Sequence, residues 1–259
     1  MNRGEDRVAL VTGASVGIGE AIAKSLAETG VAVGLIARRK QELERVQYDI
    51  QRSGGRAFAA YADLTDDNAL QRALAEVEGA LGAPDILVNN AGVVRRGPIH
   101  EMSIKHWDLN LRLNLRTPYL LSRSVLPKMR ERRRGWIVNV SSEAALEPVA
   151  ETGAYSVSKC GLNRLTELIA EENRAFGVHA IAVCPGWVST ELSFSPNAIG
   201  LSPASILRPE DIAAMVAWVV ALPPHVQVGP IIAIRPTAPE ASLRSSLADF
   251  ARITRNRDA

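Results

Sequence analysis

The chain has 259 residues, 47% hydrophobic and 22% charged, with a formal net charge of +2 and a pI near 8.7. This is the balance of an ordinary globule able to bury a large core, and so small a positive excess argues against a nucleic-acid partner. Only Cys160 and Cys184 are present, both expected to be buried and reduced; with no apolar signal region at the N-terminus and no apolar run approaching ~18 residues, the expectation is a cytoplasmic protein with no membrane partner.

Strand-like and helix-like segments alternate without a linker, an internal repeat or a low-complexity stretch, which predicts one α/β domain over residues 1–259. Residues 8–11 are a short apolar run leading into Thr12-Gly13-Ala14-Ser15-Val16-Gly17-Ile18-Gly19, and helical apolar spacing follows over 18–26. Strand, glycine turn and helix in that order suit a dinucleotide pyrophosphate. Glycines let the backbone approach the phosphates, and a helix N-terminus offers unsatisfied N–H groups. The spacing is Gly-x-x-x-Gly-x-Gly, not the usual Gly-x-Gly-x-x-Gly, and a tight turn without a ligand is the bland alternative. Residues 31–36 read as a second buried strand, followed by Ala37-Arg38-Arg39 and a helix over 40–53 that Gly54-Gly55 ends. A third strand over 57–61, Asp63-Leu64 and an amphipathic helix over 66–81 come next. Strand four, over 85–88, carries Asn89-Asn90-Ala91-Gly92 at its carboxyl end, where an open parallel sheet binds its ligands. In the loop over 93–102, Arg95, Arg96 and His100 are read as solvated surface groups.

A long helix is predicted over 103–129, with Ser103 as its N-cap and Pro118 and Pro127 as interruptions. Asn114 lies inside it, a residue that competes with the backbone for hydrogen bonds. The basic run over 130–134 is read as a solvated helix end. Strand five, over 136–140, ends at Ser141-Ser142. Tyr155 and Lys159, four apart at the start of a helix reaching about residue 176, share one face, so the ammonium can sit beside the phenol. A tyrosine near pKa ~10 exchanges protons poorly at neutral pH. A neighbouring cation favours its phenolate and makes it a usable acid or base. A sixth strand over 178–183 leads to Pro185-Gly186-Trp187-Val188-Ser189-Thr190. The stretch over 187–208 suits a substrate lid, 209–222 a helix, 226–234 a last apolar strand, and 238–259 a tail with a small amphipathic helix.

The glycine-rich segment, Asn89 to Gly92, Asn114, Ser142, Tyr155, Lys159 and Pro185-Gly186, in this order and spacing, resemble the short-chain dehydrogenases/reductases over roughly residues 6–235. The resemblance implies a Rossmann-type, doubly wound parallel sheet of seven strands with helices on both faces. It also implies reversible hydride transfer between a nicotinamide cofactor and a carbonyl or alcohol carbon of a small molecule. Tyr155 would be the acid/base, Lys159 its pKa modulator and a ribose ligand, and Ser142 the donor to the substrate oxygen. Asn114 would open its helix and hold a water linking Lys159 to solvent. Cofactor contacts would come from Gly13, Ser15, Gly17, Ile18, Gly19, Leu64, Asn90, Gly92, Tyr155, Lys159, Pro185 and Gly186, with Val188 and Thr190 on the nicotinamide carboxamide. Asp63 would meet the adenine amino group, a helix N-cap being its alternative role. Asn89 would chiefly stabilise the sheet.

NAD-preferring relatives place Asp or Glu at the end of the second strand; Ala37 followed by Arg38 and Arg39 implies NADP(H), with Arg38 as main contact and Ser15 and Arg39 assisting. Glu143, Glu151 and Trp187 are candidates for lining the substrate pocket, and no metal is expected. Ile234-Arg235-Pro236-Thr237, with Pro223-Pro224-His225-Val226 before it, replaces the more common Val-Asp-Gly-Gly ending and resembles the 3-hydroxy acid dehydrogenase and clavaldehyde reductase-like branch. Relatives bury the last strand and two long helices against symmetric copies, which implies a homotetramer or homodimer. An epimerase or dehydratase is one alternative, disfavoured by the little chain left after residue 190 for a substrate domain. A non-catalytic NADP(H) sensor or scaffold is another, and such proteins usually lose Tyr155 or Lys159.

Overall fold

Seven apolar runs become strands: the five inner ones are buried on both faces and need no polar alternation, while the two at the edges are only partly buried. The computed structural model describes residues 7–191, 202 and 205–237. Within them β1 (Val8–Thr12), β2 (Ala32–Ala37), β3 (Ala57–Tyr61), β4 (Ile86–Asn89), β5 (Gly135–Val140), β6 (Val178–Pro185) and β7 (Ile231–Ile234) pair in parallel in the order β3-β2-β1-β4-β5-β6-β7. Successive side chains divide between two cores. Ala9, Val11, Val33, Leu35 and Val138 face Ile22 of α1 (Gly17–Glu28), Leu43 of α2 (Lys40–Arg52) and Ile212 of α7 (Pro209–Val220). Leu10, Ile36, Leu87 and Ile137 face Leu70 of α3 (Asp67–Leu81), Leu121 of α5 (Thr117–Glu131) and Ile169 of α6 (Gly153–Asn173). This is the doubly wound sheet with helices on both faces that the sequence implied.

The chain leaves β3 at one edge, crosses over β2 and β1, and re-enters the sheet at β4. Neighbouring connections therefore diverge at the carboxyl ends of β1 and β4, and a cleft opens between them. Buried amides hold the catalytic side of this junction. Asn89 donates to Asn139 Oδ1 at 2.8 Å, and Asn139 donates to Thr166 Oγ1 at 2.7 Å, tying β4, β5 and α6 together.

Three expectations change. The helix expected over 103–129 is divided into α4 (Ile104–Leu111), a π-helical turn (Arg112–Arg116) and α5. Ser103 caps α4 as expected, accepting from His106 N at 3.3 Å, and Pro127 is carried inside α5 without ending it. The last strand is shorter than 226–234, because Pro230 has no N–H for the ladder; only Ile231–Ile234 pair with β6. The arginines at 130–134 are exposed, as expected of a solvated helix end, and are also tied to their neighbours. Arg132 donates to the Ala83 and Pro84 carbonyls, Arg134 to the buried Asp85 at 3.0 Å, and Arg130 lies 3.8 Å from the centre of the Phe176 ring. Cys184 is buried, but Cys160 is on the exposed face of α6. Most of the lid expected over 187–208, and all of the tail over 238–259, lie outside the described residues.

Candidate active site

The cleft at the β1/β4 junction has a volume of about 450 Å³. Its floor is the glycine turn. Gly13 has φ +65, and a Cβ there would stand 2.9 Å from the Ala91 Cα; a Cβ on Gly19 would stand 2.2 Å from the Gly13 carbonyl oxygen. Only glycine lets the turn close against the end of β4. The Asn90 side chain locks it, donating to the Thr12 and Gly13 carbonyls at 3.0 and 3.2 Å, while Thr12 Oγ1 accepts from the Asn90 and Ala91 N–H groups. Helix α1 starts at Val16 with no side-chain cap, and Gly17 and Ile18 of its first turn line the cleft. Its leading N–H groups and the positive end of its dipole thus sit in the cleft wall, a setting that suits a phosphate.

Of the residues expected to hold a cofactor, Gly13, Ser15, Gly17, Ile18, Arg38, Arg39, Asp63, Leu64, Asn90, Gly92 and Thr190 line this cleft. Gly19 supports the turn from beneath. Tyr155, Lys159, Pro185, Gly186 and Val188 stand outside that lining; Val188 is buried and bridges to Leu207. Asp63 does not cap a helix. Its Oδ1 accepts from Thr65 N and Oγ1 at 2.9 and 2.8 Å, and the cap of α3 is Asp66, which accepts from Asn68 N and Ala69 N. Arg38 approaches Asp63 at 3.9 Å, whereas Arg39 is bonded to Glu191 across the cleft at 2.8 Å.

Beyond the ends of β5 and β4, four side chains far apart in sequence converge. Ser142 follows β5 by two residues and caps the short turn after it, its Oγ accepting from Ala144 N at 3.2 Å. Lys159 is 4% exposed and donates to the Val140 carbonyl at 2.7 Å, with its Nζ 5.9 Å from the centre of the Tyr155 ring. A Cβ on Gly92 would press on Asn114 Oδ1 at 3.3 Å and stand at ordinary contact, 3.8 Å, from that Nζ, so the glycine leaves room chiefly for the amide. Asn114 is fully buried in the π-helical turn. The cause of that turn is in the sequence: Pro118, four residues on, has no N–H to give the Asn114 carbonyl, and the Thr117 N–H reaches back five residues to Arg112 O. The Asn114 side chain meanwhile grips Val93 by both backbone groups, at 2.8 and 2.9 Å, and donates to Ser158 Oγ at 3.0 Å. The Asn114 side chain thereby fixes the loop after β4 to α6.

Burial lowers the Lys159 amine to about 8, and the nearby Cys184 offsets this only in part. Burial raises the Tyr155 phenol, while a hydrogen bond with Ser142 and the charge of Arg96 pull it back. Arg96 bears on the phenol through its charge, and Lys159 lies 5.9 Å from the centre of the same ring while its ammonium donates to the Val140 carbonyl.

The short chain dehydrogenase family model matches residues 7–198. The chain belongs to the short-chain dehydrogenase family. A short chain dehydrogenase of Pseudocercospora fijiensis is 38% identical over 197 residues, covering 75% of this chain but 64% of that protein. The 2,3-dihydro-2,3-dihydroxybenzoate dehydrogenase of Bacillus subtilis is 36% identical over 191 residues, 74% of this chain and 73% of that one. A solved structure of a metagenomic short-chain oxidoreductase in complex with NADP superposes with a TM-score of 0.79 at 38% identity, covering 91% of this chain and 99% of that one.

In this short-chain dehydrogenase two charged side chains sit in surroundings that the sequence did not foretell. Glu143 is 4% exposed and ion-paired to Arg235 at 2.5 Å, with its other oxygen against Gly186. Arg96, expected in solvent with Arg95 and His100, is partly buried, its guanidinium 5.7 Å from the centre of the Trp187 ring; Arg95 and His100 are exposed as expected. Trp187 is itself buried, and Glu151 adopts φ +62 while its carbonyl accepts from Gly97 N at 2.9 Å. Sequence reasoning also missed Val16, Ala62, Ala91, Leu113 and Glu191 in the cleft wall. Val16 and Ala91 lie inside motifs already recognised; nothing in the sequence singles out the other three. Among the described residues no helix is long and apolar enough to cross a membrane, and no cluster of His, Cys, Asp and Glu has metal-ligating geometry.

Proposed function

We propose that this protein is an NADP(H)-dependent oxidoreductase that interconverts a carbonyl and an alcohol on a small molecule. The observation that carries the reading is the half-buried Tyr155, its phenol beside Ser142 beyond the carboxyl end of β5, near a glycine-floored cleft. The cleft residues fit a dinucleotide: an uncapped helix start and close-packed glycines for the pyrophosphate, and Arg38 and Arg39 beside Ala37 for a ribose phosphate. When bound there, the nicotinamide supplies or accepts the hydride. Ser142 holds the substrate oxygen. Tyr155 gives its phenol proton to that oxygen as the carbonyl carbon gains a hydride, and takes a proton back when the alcohol is oxidised. Lys159, charged below about pH 8, returns a proton to the tyrosine in this reading. The NADP-bound neighbour at 38% identity supports the cofactor assignment. Exposed Ile104, Tyr119, Val157, Leu168 and Trp218 on the outer helices support self-association. The test is nucleotide turnover with a panel of aldehydes, ketones, hydroxy acids and sugars in both directions. Binding of NADPH without turnover of any of them would refute the catalytic reading.

The depressed amine of Lys159 also makes a stability prediction. Its folded pKa, about 8, is below the ordinary lysine value of 10.5, so the unfolded chain binds more protons between those pH values and stability rises with pH across that window. Below pH 8 the buried charge costs about 3 kcal/mol, offset by about 1 kcal/mol from the bond to Val140 O. Lys159→Met should therefore melt higher than the unmodified protein at pH 7 without cofactor, and the advantage should shrink towards pH 10.5, while turnover is lost. A Met variant that melts lower at both pH values would contradict the burial cost.

A further inference from the structure

We infer that Arg235 is a positioning residue, which clamps the Ser142 loop and the Pro185-Gly186 turn to the end of β7. This rests on the reading above, in which Ser142 holds the substrate oxygen. The clamp begins at Glu143, the residue after Ser142. Its side chain is buried, Oε1 accepts from Arg235 Nε at 2.5 Å, and Oε2 has no hydrogen-bond partner among the described residues. Arg235 uses a second donor on the same loop, its Nη2 giving to Glu147 Oε1 at 3.1 Å. Between these two carboxylates runs the short turn that Ser142 caps, closed by Leu146 N and Glu147 N on the Glu143 carbonyl. One guanidinium therefore holds both ends of that turn.

The same carboxylate abuts the turn after β6. Gly186 N donates to the Ile234 carbonyl at 2.8 Å, just past the ladder in which Pro185 pairs with Ile234. A Cβ on Gly186 would stand 3.0 Å from Glu143 Oε2 and 3.1 Å from Pro236 Cδ, so the carboxylate, the turn and the chain after β7 are packed against one another. The loop after β5, the turn after β6 and the end of β7 thus converge on one ion pair. An ion pair between exposed groups would contribute little. This one is asymmetric, a buried carboxylate met by a half-exposed cation. Without Arg235, Glu143 would be left buried with neither oxygen paired, a state costly enough to turn the side chain out to water. Ser142 would move with it, because its Oγ accepts from Ala144 N and its carbonyl accepts from Ala145 N at 3.0 Å, within the turn that Glu143 begins.

The experiment measures kcat for Arg235→Met in two backgrounds, the unmodified protein and Ser142→Ala, with NADPH and a carbonyl from the panel above. In the unmodified background the substitution should lower kcat about ten- to a hundredfold, the cost of a donor misplaced by about an ångström. In Ser142→Ala, which has no donor left to misplace, it should lower kcat by less than about threefold. Arg235→Lys keeps a cation for Glu143 but lacks the fork that also reaches Glu147, and should recover part of the loss. No loss in the unmodified background, or equal losses in both, would overturn the inference and leave the oxidoreductase reading standing. Amide hydrogen exchange of the protein without nucleotide reads the clamp without turnover. Arg235→Met should speed exchange over residues 144–147 by about tenfold or more, with β1 and α1 unchanged. Faster exchange confined to residues 231–237, or unchanged rates throughout, would overturn the clamp whether or not any carbonyl turns over. Should Arg235→Met not fold, Glu143→Gln carries both comparisons, with about threefold or more expected on kcat and on exchange in the unmodified background.

Discussion

Tyr155→Phe is expected to lower kcat by about two to four orders of magnitude, the range that positioned acid/base groups contribute. The substitution deletes one oxygen and keeps the ring, so the packing of α6 against β5 and the loop after β4 should be preserved. The lost oxygen is the group next to Ser142 and under the influence of Arg96, whereas the nucleotide cleft is lined by the glycine turn, the end of β2 and the end of β4. The Kd for NADPH should accordingly change by less than about fivefold, because a single neutral hydrogen bond contributes about 1 kcal/mol net. Steady-state turnover and a fluorescence titration of NADPH on the same preparation separate the two effects. A variant retaining more than a tenth of the turnover would remove Tyr155 from the mechanism; a parallel loss of nucleotide binding would reassign it to the cofactor.

Replacing Ala37 with Asp and Arg38 with Gln should reverse a preference for NADPH over NADH. In the unmodified protein that preference should be about ten- to a hundredfold, the worth of one or two charge-assisted bonds to a phosphate. Ala37 ends β2 in the cleft wall, so a carboxylate there would face the ribose hydroxyls and repel a phosphate. The two arginines differ in readiness. Arg38 is mostly exposed with a loose 3.9 Å approach to Asp63, whereas Arg39 is bonded to Glu191 at 2.8 Å and must exchange that partner to assist. Glu191→Gln should therefore tighten NADPH by up to about fivefold, the upper worth of an exposed ion pair, with little effect on NADH. Titration of both nucleotides at matched ionic strength tests each statement. Equal affinity of the unmodified protein for NADH and NADPH would show that neither arginine reads the phosphate.

The strands and the glycine turn were legible from residue order alone, because a parallel strand buried on both faces is a continuous apolar run and a phosphate turn needs glycine at set intervals. The pairing of Tyr155 with Lys159 on one face of α6 was legible for the same reason, since helix geometry relates residues four apart wherever the helix lies. The π-helical turn at Asn114 was half legible: Pro118 withholds the donor, but the grip on Val93 that exploits the opening joins residues 21 apart. Charge partners were not legible. Arg134 meets Asp85 across 49 positions, Arg39 meets Glu191 across 152, and Glu143 meets Arg235 across 92. Arg96 shows the limit most plainly, since its neighbours in the chain mark an exposed loop while the buried Trp187 beneath it comes from beyond β6. Short-range periodicity specifies which face of an element is apolar; the solvation and partner of a long charged side chain depend on elements that meet only after the sheet has closed around its two cores.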